Sequence, residues 1–115
     1  MALTKDKKHI LIMLAHLDDE ADSIDAMKEI IGMAESFDAH DYIDAVLNSI
    51  PVLTKSAPEW LKNIIYRIAN SKLHIDLFKK QLPLHQDKEN IANYLQLFLS
   101  NNPEKEQVIN YIINK

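Results

Sequence analysis

The side chains best suited to chemistry in this sequence are five histidines and seventeen carboxylates. His16 is followed closely by Asp18, Asp19 and Glu20, a combination that could hold a metal ion. A zinc site, however, needs two histidines four residues apart or a Glu-x-x-His pair with further converging ligands, and neither pattern occurs. The alternative interpretation is a helix end followed by capping carboxylates. This segment fits that interpretation better, so we predict no metal site.

Nucleophilic and phosphate-binding chemistry is not indicated either. The chain has no cysteine and a single glycine, Gly32, which excludes thiolate nucleophiles and glycine-rich phosphate loops. Capping or turn roles account for the serines at expected helix ends, which are Ser36, Ser49, Ser56, Ser71 and Ser100. We therefore predict a protein that is not an enzyme and carries no cofactor. An enzyme with an unfamiliar helical active site is kept as an alternative.

The carboxylates are concentrated in one part of the chain. The net charge is −4, yet the segment 18–44 holds ten acidic residues and one basic residue, Lys28. The segment 55–88 holds seven basic and three acidic residues. Helical spacing groups the acidic residues into two outer faces, Asp18, Asp22, Asp25 and Glu29 on one helix and Asp38, Asp41 and Asp44 on the next. If these helices pack as a hairpin, we expect the two faces to merge into one partner-binding surface.

An acidic surface of this kind repels nucleic acid and steers a basic protein toward itself. The other interpretation is a solvated face that keeps the protein soluble. Binding of nucleic acid by this chain is not predicted, because the mildly basic segment 55–88 contains one arginine, Arg67. Membrane binding is not predicted, since the clearest amphipathic segment has an acidic polar face.

Apolar residues recur every three or four positions along nearly the whole chain, which is typical of α-helices. In the second helix the expected inward stripe is Ile24, Met27, Ile31 and Ala34. Sustained alternation of apolar and polar residues, the pattern of strands, is absent from the sequence. Pro51 is expected to end or kink the third helix. The predicted helices run from a Thr4 cap to about Leu17, from an Asp18 or Asp19 cap to about Glu35, from an Asp38 cap to or through Pro51, from Pro58 to about Asn70, from a Ser71 cap to Pro83, from an Asp87 cap to Asn101, and from Pro103 onward.

We thus predict an all-α protein forming a single domain over residues 1–115. Short turns between about seven helices favour antiparallel hairpins, arranged as a compact bundle or as a short stack of the HEAT or armadillo type. The apolar run at 10–15 is too short for a secretory signal or a membrane span. We expect a cytoplasmic protein that is a monomer when free.

The segment Ile50–Ser71 carries a more specific signal. It reads IPVLTKSAPEWLKNIIYRIANS, with the distinctive residues in Ala57-Pro58-Glu59-Trp60, Tyr66-Arg67-Ile68 and Asn70-Ser71. This segment resembles the immunity protein 30 family of bacterial polymorphic toxin and contact-dependent growth inhibition systems. The resemblance implies an all-helical protein that neutralises a toxin domain, often a nuclease, by tight binding in the cytosol.

We predict that the motif residues of this segment build the fold and that the acidic faces contact the toxin. Pro58 suits the first position of a helix, Glu59 suits its positive N-terminal end, and Trp60 can anchor packing between helices. Arg67 is expected to pair with a buried carboxylate or a helix C-terminus, and Asn70 belongs to the same motif. Our functional hypothesis is an immunity protein that covers the active site of a basic toxin domain. The alternative is a helical-repeat adaptor that binds a peptide or protein.

Overall fold

The computed structural model describes residues 7–20 and 22–113, and within these ranges the chain forms helices and no strand. The prediction of an all-α fold is confirmed, although the Thr4 cap lies outside the described residues. Two short 3-10 turns, Leu82–Leu84 and Pro103–Lys105, precede α6 and α7. The seven α-helices of the described ranges are α1 Lys7–Ala15, α2 Ile24–Glu35, α3 Ala39–Ser56, α4 Pro58–Ile68, α5 Lys72–Gln81, α6 Lys88–Asn101 and α7 Glu106–Ile113.

The start of α2 differs from the prediction. Ser23, in extended conformation, caps the helix because its Oγ accepts the Ala26 N–H at 3.1 Å. The prediction that Asp18 or Asp19 caps α2 is therefore wrong. The predicted apolar stripe is also one residue too long, since Ile24 is 59% exposed while Met27 is buried.

Pro51 does not end α3, which continues through it to Ser56. A proline inside a helix removes one backbone hydrogen bond and crowds the preceding turn. Leu47, Ile50 and Leu53 on either side of it are each no more than 2% exposed. Burial of these side chains outweighs the local cost. Of the two outcomes predicted at Pro51, a helix end or a kink, the end is therefore wrong, for a tertiary reason.

The odd-numbered helices α1, α3, α5 and α7 lie side by side in that order, and the even-numbered helices pack against them. All seven contribute side chains to one buried cluster, among them Ile10 of α1, Tyr42 of α3 and Ile109 of α7. The order of the odd helices is that of stacked hairpins, while the 40 × 30 × 24 Å extents describe a compact body. The two predicted arrangements are thus combined in one molecule.

Side-chain caps fix two of the other helix starts where the sequence predicted them. A carboxylate oxygen of Asp38 accepts the Asp41 N–H at 3.2 Å at the start of α3, and Ser71 Oγ accepts the His74 N–H at 3.4 Å at the start of α5. Asp87 stands at the cap position of α6 but makes no capping bond with its side chain. Within the described ranges, the helices lack the length and apolar character needed to cross a membrane.

Candidate partner-binding surface

The first predicted acidic face is divided between a loop and a helix. Asp18 and Asp22 precede α2, whereas Asp25 and Glu29 lie on it four residues apart. All four side chains are exposed. The expectation of one continuous helical stripe is therefore wrong for Asp18 and Asp22, because the helix begins only at Ile24. The acidic residues still follow one another along the α1–α2 loop and the first turns of α2.

The second predicted face lies around the start of α3. Asp38 is exposed and caps the helix, while Asp41 and Asp44 are half-buried on its first turns. The Asp41 carboxylate lies 3.8 Å from Nδ1 of His40. Of the three carboxylates of the second face, Asp38 is thus the most exposed.

The side chains that could bind a metal ion do not converge at His16 and the carboxylates that follow it, the segment considered in the sequence analysis. His16 forms a 2.7 Å hydrogen bond between its Nδ1 and the Ile12 carbonyl oxygen, one helical turn back. The group whose ligand atoms lie within 4.8 Å of one another in the described chain is Asp38, His40 and Asp41. Since the Asp38 carboxylate already accepts a backbone N–H there, this group is explained as a helix cap.

Asp19 lies in the loop between α1 and α2, which we call the acidic loop. It connects this loop to the motif segment, Ile50–Ser71, about forty residues further along the chain. Ala57 precedes α4 and has no side-chain acceptor, so the first N–H groups of α4 need a partner from elsewhere. The two carboxylate oxygens of Asp19 accept the N–H groups of Glu59 at 2.9 Å and of Trp60 at 3.1 Å. The Trp60 indole donates to the Asp18 carbonyl oxygen at 3.1 Å. These three bonds fix the acidic loop against α4, and we name them the loop latch.

A second link joins α2 to the motif segment. Arg67 donates through Nε and Nη2 to the two carboxylate oxygens of Glu35, at 2.7 and 2.6 Å, in the two-pronged geometry that arginine favours. The hydrogen bonds with Glu35 raise the pKa of Arg67. Glu35 is the last residue of α2, so this pair holds the C-terminal end of the helix that carries Asp25 and Glu29.

Two aromatic side chains lie behind this ion pair. Tyr42 is completely buried, and burial, helped by the charge of Glu35, raises the pKa of its hydroxyl well above the usual range. The half-buried His74 ring lies 5.2 Å from the Tyr42 ring, centroid to centroid. Burial lowers the pKa of His74 against a smaller opposing effect of Glu35. The environment thus favours the neutral form of this histidine.

The remaining motif residues connect α4 to its own surroundings. Pro58 is the exposed first residue of α4, and Glu59 lies in its first turn, 3.7 Å from the Lys62 ammonium. The Asn70 side-chain oxygen accepts a 2.5 Å hydrogen bond from Lys105, whose ammonium also lies 4.6 Å from the centre of the Tyr66 ring. These contacts attach the turn before α7 to α4.

The outer side of α4 also borders a cavity of about 400 Å³. Its lining mixes both charges with aromatic and amide groups, including Glu59, Lys62, Tyr66, Arg67 and Asn102. A single-sign field does not arise here, in contrast to the segment 18–44.

Sequence reasoning missed Asp19 and Glu35 as the residues that hold the acidic segment in position. The sequence contains one signal for the role of Asp19. The alanine immediately before Pro58 has no side-chain acceptor for the N-terminal N–H groups of α4. It indicates that a distant acceptor is needed but not which one. For Glu35 the sequence offers no signal beyond its charge.

Comparison with protein-family models matches residues 1–78 to the family described as Immunity protein 30. The matched part includes the motif segment and, in addition, all of α1, α2 and the acidic segment, where sequence reasoning had found no resemblance. The comparisons found no matching curated protein and no matching solved structure.

Proposed function

The chain belongs to the immunity protein 30 family, and from that premise we propose that it neutralises a bacterial toxin domain by binding it through the acidic surface. The acidic surface is defined by Asp18, Asp22, Asp25, Glu29, Asp38, Asp41 and Asp44. In this proposal the bound protein covers the toxin's active site or substrate groove. Family membership implies the toxin as a protein partner, and immunity proteins are generally not enzymes.

The observation that carries the proposal is the ten-to-one excess of acidic residues in the segment 18–44, all of it inside the family match. Five of the seven residues of the acidic surface are exposed. Asp25 lies in the first turn of α2, where a carboxylate also stabilises the positive N-terminal end of the helix, and Glu29 follows one turn later on the same face.

The charge also supports a class of toxin. A nuclease binds the phosphates of its substrate in a groove lined by lysine and arginine. A protein with carboxylates at the surface can occupy such a groove, because its charges take the positions of the phosphates. We therefore propose a basic toxin domain, with a nuclease as the favoured chemistry.

The loop latch supports binding by reducing the entropy lost on association. A loop that is already fixed in the free protein pays less ordering cost when it meets its partner. Asp19 and Trp60 hold the loop at both its side chain and its backbone, while Asp18 and Asp22 remain exposed. The acidic loop is thus pre-organised for contact.

Co-expression tests the proposal. The toxin domain encoded beside this chain is expressed in bacteria alone, with this chain, and with an unrelated small helical protein as control. We expect this chain to restore growth and to co-purify with the toxin domain. Absence of both rescue and complex would contradict the proposal. A complex without rescue would instead support the adaptor alternative.

A further inference from the structure

Gly32, the one glycine of the chain, lies in the interior of α2 on its exposed side. Glycine is the least favourable residue in a helix interior after proline. It is normally retained where the backbone needs a positive φ or where another group approaches closely. We therefore asked what Gly32 provides to this protein.

The folded chain itself gives no reason for the glycine. No glycine with positive φ occurs in the described chain, so Gly32 has ordinary helical geometry. A Cβ built on Gly32 meets nothing within 4 Å. Alanine would fit without any rearrangement and would stabilise the helix. What remains is close approach from outside, by a molecule that is not part of this chain.

The side chains around Gly32 indicate the surface chemistry of the molecule that could approach it. Asp25, Glu29 and Gly32 follow one another at intervals of four and three residues and make a stripe along the outside of α2, which the C-cap residue Ser36 continues. The exposed Lys28 lies beside this stripe, one helical turn before Gly32. Next to this stripe lies Met33, whose side chain is 58% exposed. A flexible apolar side chain one helical turn from the Glu29 carboxylate suits a protein surface on which an apolar depression lies next to basic side chains.

We propose that the outer face of α2 is the docking site of the toxin domain, with toxin backbone or a flat side chain lying directly over Gly32. In this arrangement Met33 enters an apolar depression of the toxin, and Asp25 and Glu29 pair with its lysine or arginine side chains. The inference rests on the proposed function and narrows the acidic surface to one helix. The opposite face of α2 is occupied, since Met27, Ile31 and Ala34 are buried in the core.

The outer face of α2 is favoured over the cavity beside α4 for two reasons. The cavity lining holds Glu59, Lys62 and Arg67, whereas the outer face of α2 holds two exposed carboxylates, Asp25 and Glu29, against one ammonium, Lys28, and so keeps a net negative charge for a basic partner. The motif residues that border the cavity are already engaged, Arg67 with Glu35 and Tyr66 with Glu104. The face around Gly32 offers the exposed Met33 side chain, a net negative charge and a backbone that a partner can reach.

The test separates folding from binding, because we expect substitution of Gly32 to raise the stability of the protein but to weaken its affinity for the toxin domain. Gly32→Ala and Gly32→Gln place good helix formers in α2. We expect Gly32→Ala to raise the melting temperature by about 4 °C. Binding to a catalytically inactive form of the toxin domain encoded beside this chain is then measured by surface plasmon resonance. We expect the Kd to rise about tenfold for Gly32→Ala and about a hundredfold for Gln, because the added atoms displace the partner.

Asn93→Ala provides the matched control. Asn93 is exposed on α6, and alanine replaces a weak helix former there as well. We expect a higher melting temperature with an unchanged Kd. If both Gly32 variants bind like the wild-type protein, the docking site lies elsewhere and the inference is overturned while the proposed function stands. If the wild-type protein itself does not bind the toxin domain, both are overturned.

Discussion

Asp19 is the residue on which the position of the acidic loop depends. Its carboxylate accepts two N–H groups that open α4, where the cap residue Ala57 has no side-chain acceptor of its own. We expect Asp19→Ala to lower the free energy of unfolding by about 1–2 kcal/mol, the usual cost of losing a helix cap. Urea denaturation followed by circular dichroism measures this change.

Asp22→Ala is the control for that variant, because Asp22 lies in the same loop and is exposed. We expect its effect on the free energy of unfolding to stay within about 0.5 kcal/mol, as at most surface positions. Equal effects of the two substitutions would contradict the cap. Trp60→Phe, which removes the indole donor but keeps most of the ring, is expected to lie between them.

His74 makes the stability of the protein depend on pH. Burial lowers its pKa in the folded state, so the unfolded chain, with a value of about 6.5, binds the proton first. The contribution of neutral His74 to the free energy of unfolding is therefore complete above about pH 6.5, the unfolded-state pKa. It is lost as the pH falls through the lower pKa of the folded state. We expect His74→Gln to reduce the loss of stability between about pH 7.5 and pH 5 in urea titrations. A loss as large as that of the wild-type protein would contradict this assignment.

At the scale of elements, the spacing of apolar residues was sufficient to predict seven helices and the two capping residues Asp38 and Ser71. These features depend on neighbours within four positions, which a sequence displays directly. The start of α2, the continuation of α3 through Pro51 and the loop latch were not predictable in the same way. Each depends on contacts between distant segments, as the forty residues between Asp19 and Glu59 illustrate.

Pro51 lowers the stability of α3 although the helix tolerates it. The ring removes the hydrogen bond that an N–H at this position would donate to the carbonyl of Leu47 and crowds that turn. We expect Pro51→Ala to raise the free energy of unfolding by about 1–3 kcal/mol, measured by urea denaturation. No gain, or a loss, would mean that the ring packs in a way that alanine cannot replace.

Pro58→Ala is the comparison that isolates the effect of position. Pro58 is the first residue of α4, where a missing N–H costs no hydrogen bond. We expect this substitution to leave stability unchanged or to lower it slightly, by about 0.5 kcal/mol. A gain as large as that of Pro51→Ala would contradict the explanation by helix position.

For the whole molecule, the family match covers less of the chain than the buried core does. The match ends at residue 78 within α5, but the core continues into α6 and α7 through side chains such as Phe98 and Ile109. The charge distribution has limits of its own, since the acidic excess in the segment 18–44 lies inside the match whereas the basic excess in 55–88 runs past its end.

The site was predictable from the sequence only as a concentration of charge. Helical spacing grouped Asp25 with Glu29 correctly, since both lie on α2, but joined Asp18 and Asp22 to them although these precede the helix. The position of Gly32 beside these carboxylates became informative only when its empty surroundings were known. A spacing pattern predicts which residues share a helix face. It does not predict whether that face packs against the rest of the chain or stays open to a partner.

Association kinetics test the central claim, that the acidic surface binds the toxin domain, most directly. The association rate constant is measured between about 50 and 500 mM salt for the wild-type protein, for Asp22→Lys/Asp25→Lys and for Glu89→Lys/Glu106→Lys, a control of equal net charge. We predict that salt slows the wild-type protein and the control about tenfold or more, and that reversal at Asp22 and Asp25 lowers the rate in low salt and flattens its salt dependence. Equal rates for both double variants at every salt concentration would contradict the account.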